Sequence, residues 1–84
     1  MTYSFIPSGV CSRMINLELN DDGVIEKVQF IGGCNGNTSG ISQLVKGMQA
    51  EDVIEKLKNV DCNGKGTSCP AQLALALQEA LEEI

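Results

Sequence analysis

A strand–turn–strand pattern in the first third of the chain limits the possible folds more than any other stretch. Residues 10–19 alternate in polarity, with Ile15, Leu17 and Leu19 on one side and polar residues on the other. A period of two residues is typical of a strand with one face in water. The next four residues, 20–23, are Asn, Asp, Asp and Gly, which favours a tight hairpin turn. The sequence therefore predicts an antiparallel hairpin with one apolar face.

Two neighbouring stretches extend the predicted sheet. Residues 24–31 form the expected return strand of the hairpin. Its apolar face is expected to carry Val24, Val28 and Phe30. Residues 2–6 are expected to form a short edge strand that ends at Pro7, because proline has no N–H to donate within a sheet.

The next stretch is a glycine-rich loop followed by a helical pattern. The loop covers residues 31–40, and three of its residues can cap a helix N-terminus: Asn37, Thr38 and Ser39. After the loop, four apolar residues recur at helical spacing and are expected to face the core: Ile41, Leu44, Val45 and Met48. Gly47 is the expected C-terminal stop of this helix.

Two more helices are expected in the second half. One begins near Ala50 and carries acidic residues in its first turn, where they suit the helix dipole. Its apolar face consists of Val53, Ile54 and Leu57. The last helix begins within residues 67–70, with Ser68 or Cys69 as its cap and Pro70 in its first turn. Its predicted buried stripe is Leu73, Ala76, Leu77, Ala80, Leu81 and Ile84.

These elements predict an α+β fold in one domain, residues 1–84, with a small antiparallel sheet and about three helices packed on one sheet face. The net charge of −5 and the scattered cations argue against nucleic-acid binding. No run approaches the length of a membrane span, and no signal-peptide pattern is visible, so we expect a cytoplasmic protein. The chain has no histidine, which excludes His-dependent acid–base chemistry.

The four cysteines are the main candidates for chemistry. Cys11 and Cys34 flank the hairpin, Cys62 lies in a second glycine-rich loop, and Cys69 lies at the start of the last helix. In a reducing compartment this number of cysteines indicates metal or redox chemistry before disulfides. Four thiolates at one point suit a zinc ion or an iron–sulfur cluster. The chain has no C-x-x-C pair, which excludes a zinc ribbon or a thioredoxin-like motif, and four unrelated thiols are the alternative to a metal site.

The chain resembles the TSCPD family. Four segments carry the resemblance: Gly33-Cys34-Asn35-Gly36-Asn37, Gly40-Ile41-Ser42, Leu44-Val45-Lys46-Gly47-Met48 and Thr67-Ser68-Cys69-Pro70. The family is named for a Thr-Ser-Cys-Pro-Asp motif, and this chain has Ala71 in place of the Asp. Its members occur as small proteins and as a domain appended to vitamin B12-dependent ribonucleotide reductases. The resemblance implies a metal-binding role for Cys11, Cys34, Cys62 and Cys69.

A more distant similarity is to the NifU/IscU-type iron–sulfur scaffolds. Cys11, Cys34 and the Cys69-Pro70-Ala71-Gln72-Leu73-Ala74 segment match that order of motifs. The match departs at Arg13, where the scaffold has Asp, and at Ser68, where it has His. Cys62 would then complete a closed site of four cysteines, which is usually structural.

The resemblances imply a small metal-binding accessory module, with zinc as the expected metal and an iron–sulfur cluster as the alternative. They also imply an association with ribonucleotide reduction and DNA synthesis, with the reductase or another protein as partner. Alternative roles are a thiol redox partner of ribonucleoside-diphosphate reductase, built on Cys34 and Cys69, and an iron–sulfur scaffold or carrier. Because 84 residues cannot hold a complete reductase site, we do not expect a stand-alone enzyme.

Overall fold

The computed structural model describes residues 1–7, 9, 12–32, 35–60 and 69–83, with the backbone alone at residues 35–38 and 69. In these parts of the chain, three strands precede three helices. The elements are β1 (Thr2–Phe5), β2 (Ser12–Leu19), β3 (Ile25–Gly32), α1 (Asn35–Val45), α2 (Ala50–Leu57) and α3 (Cys69–Glu82). This confirms the predicted α+β class, including the short N-terminal edge strand.

The sheet is antiparallel throughout, with β2 between β1 and β3. Ile15 lies opposite Phe30 and Leu17 lies opposite Val28, so the apolar residues of the two long strands share a face. Ile15 and Leu17 are buried, whereas the other sheet face presents polar pairs such as Glu18 and Lys27. The helices pack on the apolar face, as the alternation predicted.

One residue of β3 departs from the predicted alternation. Glu18 pairs with Lys27 and Leu19 pairs with Ile25, so Glu26 is an extra residue in β3. Such a bulge shifts the phase of the side chains by one position. As a result Ile25 is fully buried beside Val28, and the prediction that Val24 shares this face is wrong.

The hairpin turn forms as predicted and is closed by an asparagine. The Asn20 side-chain oxygen Oδ1 accepts hydrogen bonds from the backbone N–H groups of Asp22 at 2.9 Å and Val24 at 3.0 Å. Gly23 has a φ of 78°, a conformation that residues with a Cβ rarely adopt. We call this turn the closed end of the hairpin, and the Ser12–Gly32 pair its open end.

Helix α1 begins earlier than predicted. It starts at Asn35, so the three expected capping residues, Asn37, Thr38 and Ser39, lie inside its first turns. Val45 is buried on this helix, but Leu44 is 74% exposed. The prediction that Leu44 faces the core is therefore wrong, because the side of α1 that packs on β3 is narrower than the apolar stripe in the sequence.

The connection from α1 to α2 is fastened to the start of β3. The Gly47 N–H donates to the Ile25 carbonyl at 2.8 Å, and the Ile25 N–H donates to the Met48 carbonyl at 2.9 Å. Gly47 has a φ of 87°, which confirms its predicted role after the helix end. The Ala50 N–H then donates to the Gly23 carbonyl at 2.8 Å, so α2 begins beside the closed end.

Helix α3 supplies the centre of the core. Leu73, Ala76, Leu77 and Ala80 have no solvent exposure, which confirms most of the predicted stripe, while Ile84 lies outside the described residues. Val53 and Ile54 of α2 join the same apolar cluster, as predicted. Of the helices that the structure describes, none has the length and hydrophobicity required to cross a membrane.

Candidate metal centre

The open end of the hairpin is the first part of the candidate centre. Ser12 begins β2 and is the register partner of Gly32, the last residue of β3. Cys11 directly precedes Ser12 in the sequence, and Cys34 follows Gly32 by two residues. The start of β2, next to Cys11, and the end of β3, close to Cys34, are therefore adjacent.

Helix α1 starts at this same end. It begins three residues after Gly32, and the residues that follow it are bonded to Ile25 at the other end of β3. It therefore runs antiparallel to β3, away from the open end. Its N-terminus comes directly after Cys34 in the sequence.

Helix α3 also begins at the open end. Its last turn lies at the closed end, where the Leu81 carbon Cδ2 is 3.4 Å from the position that a Cβ would take on Gly23. The helix has 14 residues, so its first residue lies roughly 20 Å away along its axis. Buried residues occur along α3 from Ala71 to Ala80, and the helix packs on α2 and on the strands β2 and β1, so we infer that its first residue, Cys69, lies toward the open end.

The four predicted ligands stand as follows. Cys11, Cys34 and Cys62 lie outside the described residues, and only the backbone of Cys69 is described, as the first residue of α3. Elsewhere, in the part of the chain whose side chains are described, no three cysteine or acidic side chains are grouped so that they could hold a metal ion. The ligand set Cys11, Cys34, Cys62 and Cys69 therefore stays a prediction.

The described residues at the open end include one cation. Ser12 pairs with Gly32 and Met14 pairs with Ile31, so Arg13 is an extra residue in β2. Bulges of this kind redirect a side chain at a sheet edge. The Arg13 carbon Cγ lies 3.3 Å from the position of a Cβ on Gly32, whose φ is 80°. A glycine there allows the Arg13 stem to cross the end of β3.

Polar groups are buried at this end as well. Among the described residues, the buried polar side chains are Ser12, 4% exposed, and Gln72, 5% exposed, in the first turn of α3. No buried side-chain nitrogen or oxygen in the described part lacks a hydrogen-bond partner. Toward the open end, the buried side chains therefore include polar ones as well as apolar ones.

The chemistry of the donor set fits a soft or borderline metal. Thiolate sulfur is the preferred ligand of structural zinc sites and of iron–sulfur clusters. The chain has four cysteines and no histidine. A site with four sulfur or imidazole ligands from this chain is therefore a Cys₄ site. In general, nearby positive charge and helix N-termini favour thiolates over thiols.

One contact outside this centre could not be found from the sequence. The Tyr3 hydroxyl donates a hydrogen bond to the Glu79 oxygen Oε1 at 2.6 Å. The hydrogen bond and the nearby carboxylates of Glu79, Glu83 and Glu82 raise the pKa of Tyr3 to about 12. No local pattern relates residues that are 76 positions apart, so only the fold reveals this pair.

Comparison with known proteins identifies the family. The family model of the TSCPD domain matches residues 1–81, nearly the whole chain. No curated protein and no solved structure matches the chain significantly. The similarity to NifU/IscU-type scaffolds therefore stays a prediction from sequence motifs. The match over residues 1–81 shows that this chain belongs to the TSCPD domain family.

Proposed function

We propose that this protein is a small cytoplasmic metal-binding module that holds zinc with Cys11, Cys34, Cys62 and Cys69 and serves ribonucleotide reduction. The observation that carries the proposal is topological. The described chain segments that adjoin three of these cysteines end or begin at the open end of the hairpin: Ser12, Gly32, and the first turns of α1 and α3. The fourth, Cys62, belongs to the connection between α2 and α3.

Covalent geometry limits how far the cysteines can be from this end. Consecutive Cα atoms are about 3.8 Å apart, and register partners in an antiparallel pair are about 5 Å apart. Cys11 is one residue from Ser12 and Cys34 is two residues from Gly32. Covalent connection therefore allows both to reach a shared ion, for which Zn–S distances of about 2.3 Å require sulfurs about 4 Å apart.

The direction of α2 extends this argument to Cys62. Helix α2 starts at the closed end, where the Ala50 N–H is bonded to Gly23, and α3 returns to that end at Leu81. The two helices therefore run antiparallel, with the start of α2 and the end of α3 both at the closed end; we infer that the chain between them returns toward the open end. Cys62 belongs to that connection, and Cys69 is the first residue of α3, where the connection ends.

The role in ribonucleotide reduction rests on the family. The TSCPD domain occurs in ribonucleotide reductases, and the chain matches that domain over residues 1–81. A separate small member would act as a partner of a reductase or of another protein. In that role the metal holds the open end in one conformation and presents it to the partner.

Metal analysis tests the proposal directly. We expect one zinc per chain in protein purified without chelator, and loss of zinc in each of the four single Cys→Ser variants. Ser12→Ala is a matched control, because it alters the same end of the molecule without removing a thiol. A folded, colourless protein without zinc would overturn the proposal. Visible absorbance with bound iron and sulfide would instead show the iron–sulfur alternative.

A second candidate, a thiol redox partner of ribonucleoside-diphosphate reductase, is favoured by the helix boundaries. Helix α1 begins directly after Cys34, and α3 begins at Cys69. Helix N-termini stabilise thiolates, the form that attacks disulfides. This role predicts a reversible disulfide between two of the four cysteines. Mild oxidation followed by thiol alkylation detects it, and four equally reactive thiols would exclude it.

A further inference from the structure

An open groove runs between α2 and α3. It has a volume of about 620 Å³. Its apolar lining is formed by Ile54 of α2 and by Leu75 and Leu81 of α3. Leu75 is 46% exposed, although the residues around it in α3 are buried. The groove therefore presents an apolar side chain that no described part of the chain covers.

The walls of this groove are acidic. Its charged lining residues are Glu51, Asp52, Glu55, Glu79 and Glu82. No lysine or arginine is among the described residues that line it. Lys58 reaches one of them from outside, with 3.4 Å between its nitrogen Nζ and the Glu55 oxygen Oε1, and both side chains are largely exposed. An exposed pair of this kind leaves most of the negative charge in place.

The position of the acidic residues on α3 is unfavourable for the helix alone. Glu79 and Glu82 lie in its last turns, and no basic residue is present there. The C-terminal end of a helix carries partial negative charge, so carboxylates near it repel that end. Glu79 accepts a hydrogen bond from Tyr3, but among the described contacts no such partner is shown for Glu82. Residues that break a local rule without a compensating contact are expected at functional sites.

The single tyrosine reports the negative potential at this end. The pKa of Tyr3 is raised first by the hydrogen bond with Glu79, next by desolvation, and then by the charges of Glu79, Glu83 and Glu82. A cation near these carboxylates would be attracted by the same field. The groove thus combines an exposed apolar centre with a negative rim.

We propose that this groove, the α2–α3 groove, docks a basic amphipathic helix of another protein. Apolar residues of that helix would cover Leu75, and its lysines or arginines would pair with Glu51, Glu82 and their neighbours. Helix α2 has eight residues, about 12 Å, so the groove fits two to three turns of a helix. Aromatic or aliphatic anchors surrounded by complementary charge are the usual arrangement of such helix-in-groove sites.

A second copy of this chain does not fit the groove. The chain carries −5 net charge and only six cations, so a copy would bring more carboxylates than cations to an acidic surface. Like charges facing each other oppose association. A partner with an excess of basic residues has the complementary charge.

The docking proposal is independent of the metal proposal. The groove joins the first turn of α2 to the last turn of α3, at the closed end of the hairpin. The candidate metal centre lies at the open end. Loss of metal binding would therefore leave the docking proposal standing, and failure of docking would leave the metal proposal standing.

The test is a nuclear magnetic resonance titration of the isotope-labelled full chain. The probe is a synthetic amphipathic peptide with leucines at helical spacing and lysines elsewhere. Its twin has glutamate at every lysine position. We expect the lysine peptide to shift amide signals of α2 and α3, and the glutamate peptide to shift none. Signals that move mainly outside α2 and α3, or equal binding of both peptides, would overturn the proposal.

Two variants separate groove docking from general charge attraction. Leu75→Ser should weaken binding of the lysine peptide by about tenfold, and Glu51→Gln with Glu82→Gln by a similar factor. Leu44→Ser is the control, because Leu44 is also an exposed leucine, at 74%, but lies on α1. Unchanged affinity in Leu75→Ser, or equal losses in Leu75→Ser and Leu44→Ser, would refute the groove as the site. Self-association of the free protein through this groove would also refute it.

Discussion

The Tyr3 hydroxyl and the Glu79 carboxylate form a 2.6 Å hydrogen bond that joins the N-terminal edge strand to the last helix. Tyr3 is the only tyrosine of the chain. Its ionisation can therefore be followed without interference from other residues. The bond requires the protonated phenol, which makes it sensitive to alkaline pH.

The first prediction concerns this ionisation. In the folded protein the Tyr3 pKa is raised from 10.0 to about 12, mainly by the hydrogen bond with Glu79. A raised pKa means that the stabilisation is complete below pH 10 and is lost as the pH rises through 12. Ultraviolet titration of the tyrosinate should give a midpoint near 12 in the wild type and a lower one in Glu79→Gln.

Circular dichroism at each pH value is the control for this titration, because the midpoint is meaningful only while the protein is folded. Glu83→Gln is a matched variant that removes a nearby charge but keeps the hydrogen bond, and its effect should be smaller. A folded wild-type protein with a midpoint at the ordinary value of 10.0 would contradict the bond.

The second prediction is that two glycine substitutions change stability in opposite directions. A Cβ on Gly40 or on Gly47 would meet no atom within 4 Å, so packing does not distinguish them. Gly40 lies within α1, and Gly40→Ala should stabilise the protein by about 0.5–1 kcal/mol. Gly47 has a φ of 87°, and Gly47→Ala should destabilise it by roughly 1–2 kcal/mol. Urea unfolding measures both, and changes of equal sign would disprove this assignment.

The third prediction compares two leucines. Leu77 has no solvent exposure in the centre of the core, so Leu77→Ala should lower the free energy of unfolding by about 2–5 kcal/mol. Leu44 is 74% exposed, and Leu44→Ala should change it by less than about 0.5 kcal/mol. Denaturant unfolding of both variants decides the matter. A large loss in Leu44→Ala would mean that α1 packs through this residue after all.

The fourth prediction separates a closed metal site from an open one. If Cys62 is a ligand equal to Cys34, then Cys62→Ser and Cys34→Ser should both lose zinc and much stability. For small zinc domains the linked binding energy is on the order of 10 kcal/mol, comparable to the whole folding free energy. Zinc stoichiometry and melting curves of the two variants are the measurements. Zinc lost from Cys34→Ser but retained in Cys62→Ser would show a three-cysteine site with an open position.

Elements controlled by local sequence were predictable, and features that depend on distant partners were not. The hairpin turn at residues 20–23 and the stripe of α3 follow from turn chemistry and periodicity, and both are confirmed. The bulge at Glu26 was not foreseen, because alternation alone cannot show an extra residue. Because of this bulge, Ile25 lies in the core in place of the expected Val24.

The same distinction applies to α1 and to the candidate centre. Leu44 fits the helical period but faces solvent. The surface of β3 on which α1 packs decides which residues of the apolar stripe are buried, and the sequence of α1 alone does not show this. The cysteine set was selected from residue type and position in the chain, and its four side chains lie outside the described ones. The acidic residues of the groove come from two stretches that are far apart in the sequence, and only the pairing of α2 with α3 places them around Leu75.

The order of the elements along the chain has a consequence for folding during synthesis. The apolar face of the hairpin is complete once residue 32 has been made, but Leu73 and Leu77, which cover it, come from the last helix. A nascent chain therefore carries an Ile15–Leu17 surface without Leu73 and Leu77 until about forty-five more residues, through Leu77, have been made. For this protein, chaperones that shield apolar strands would act before α3 emerges, and stable folding would follow once α3 can pack on the sheet.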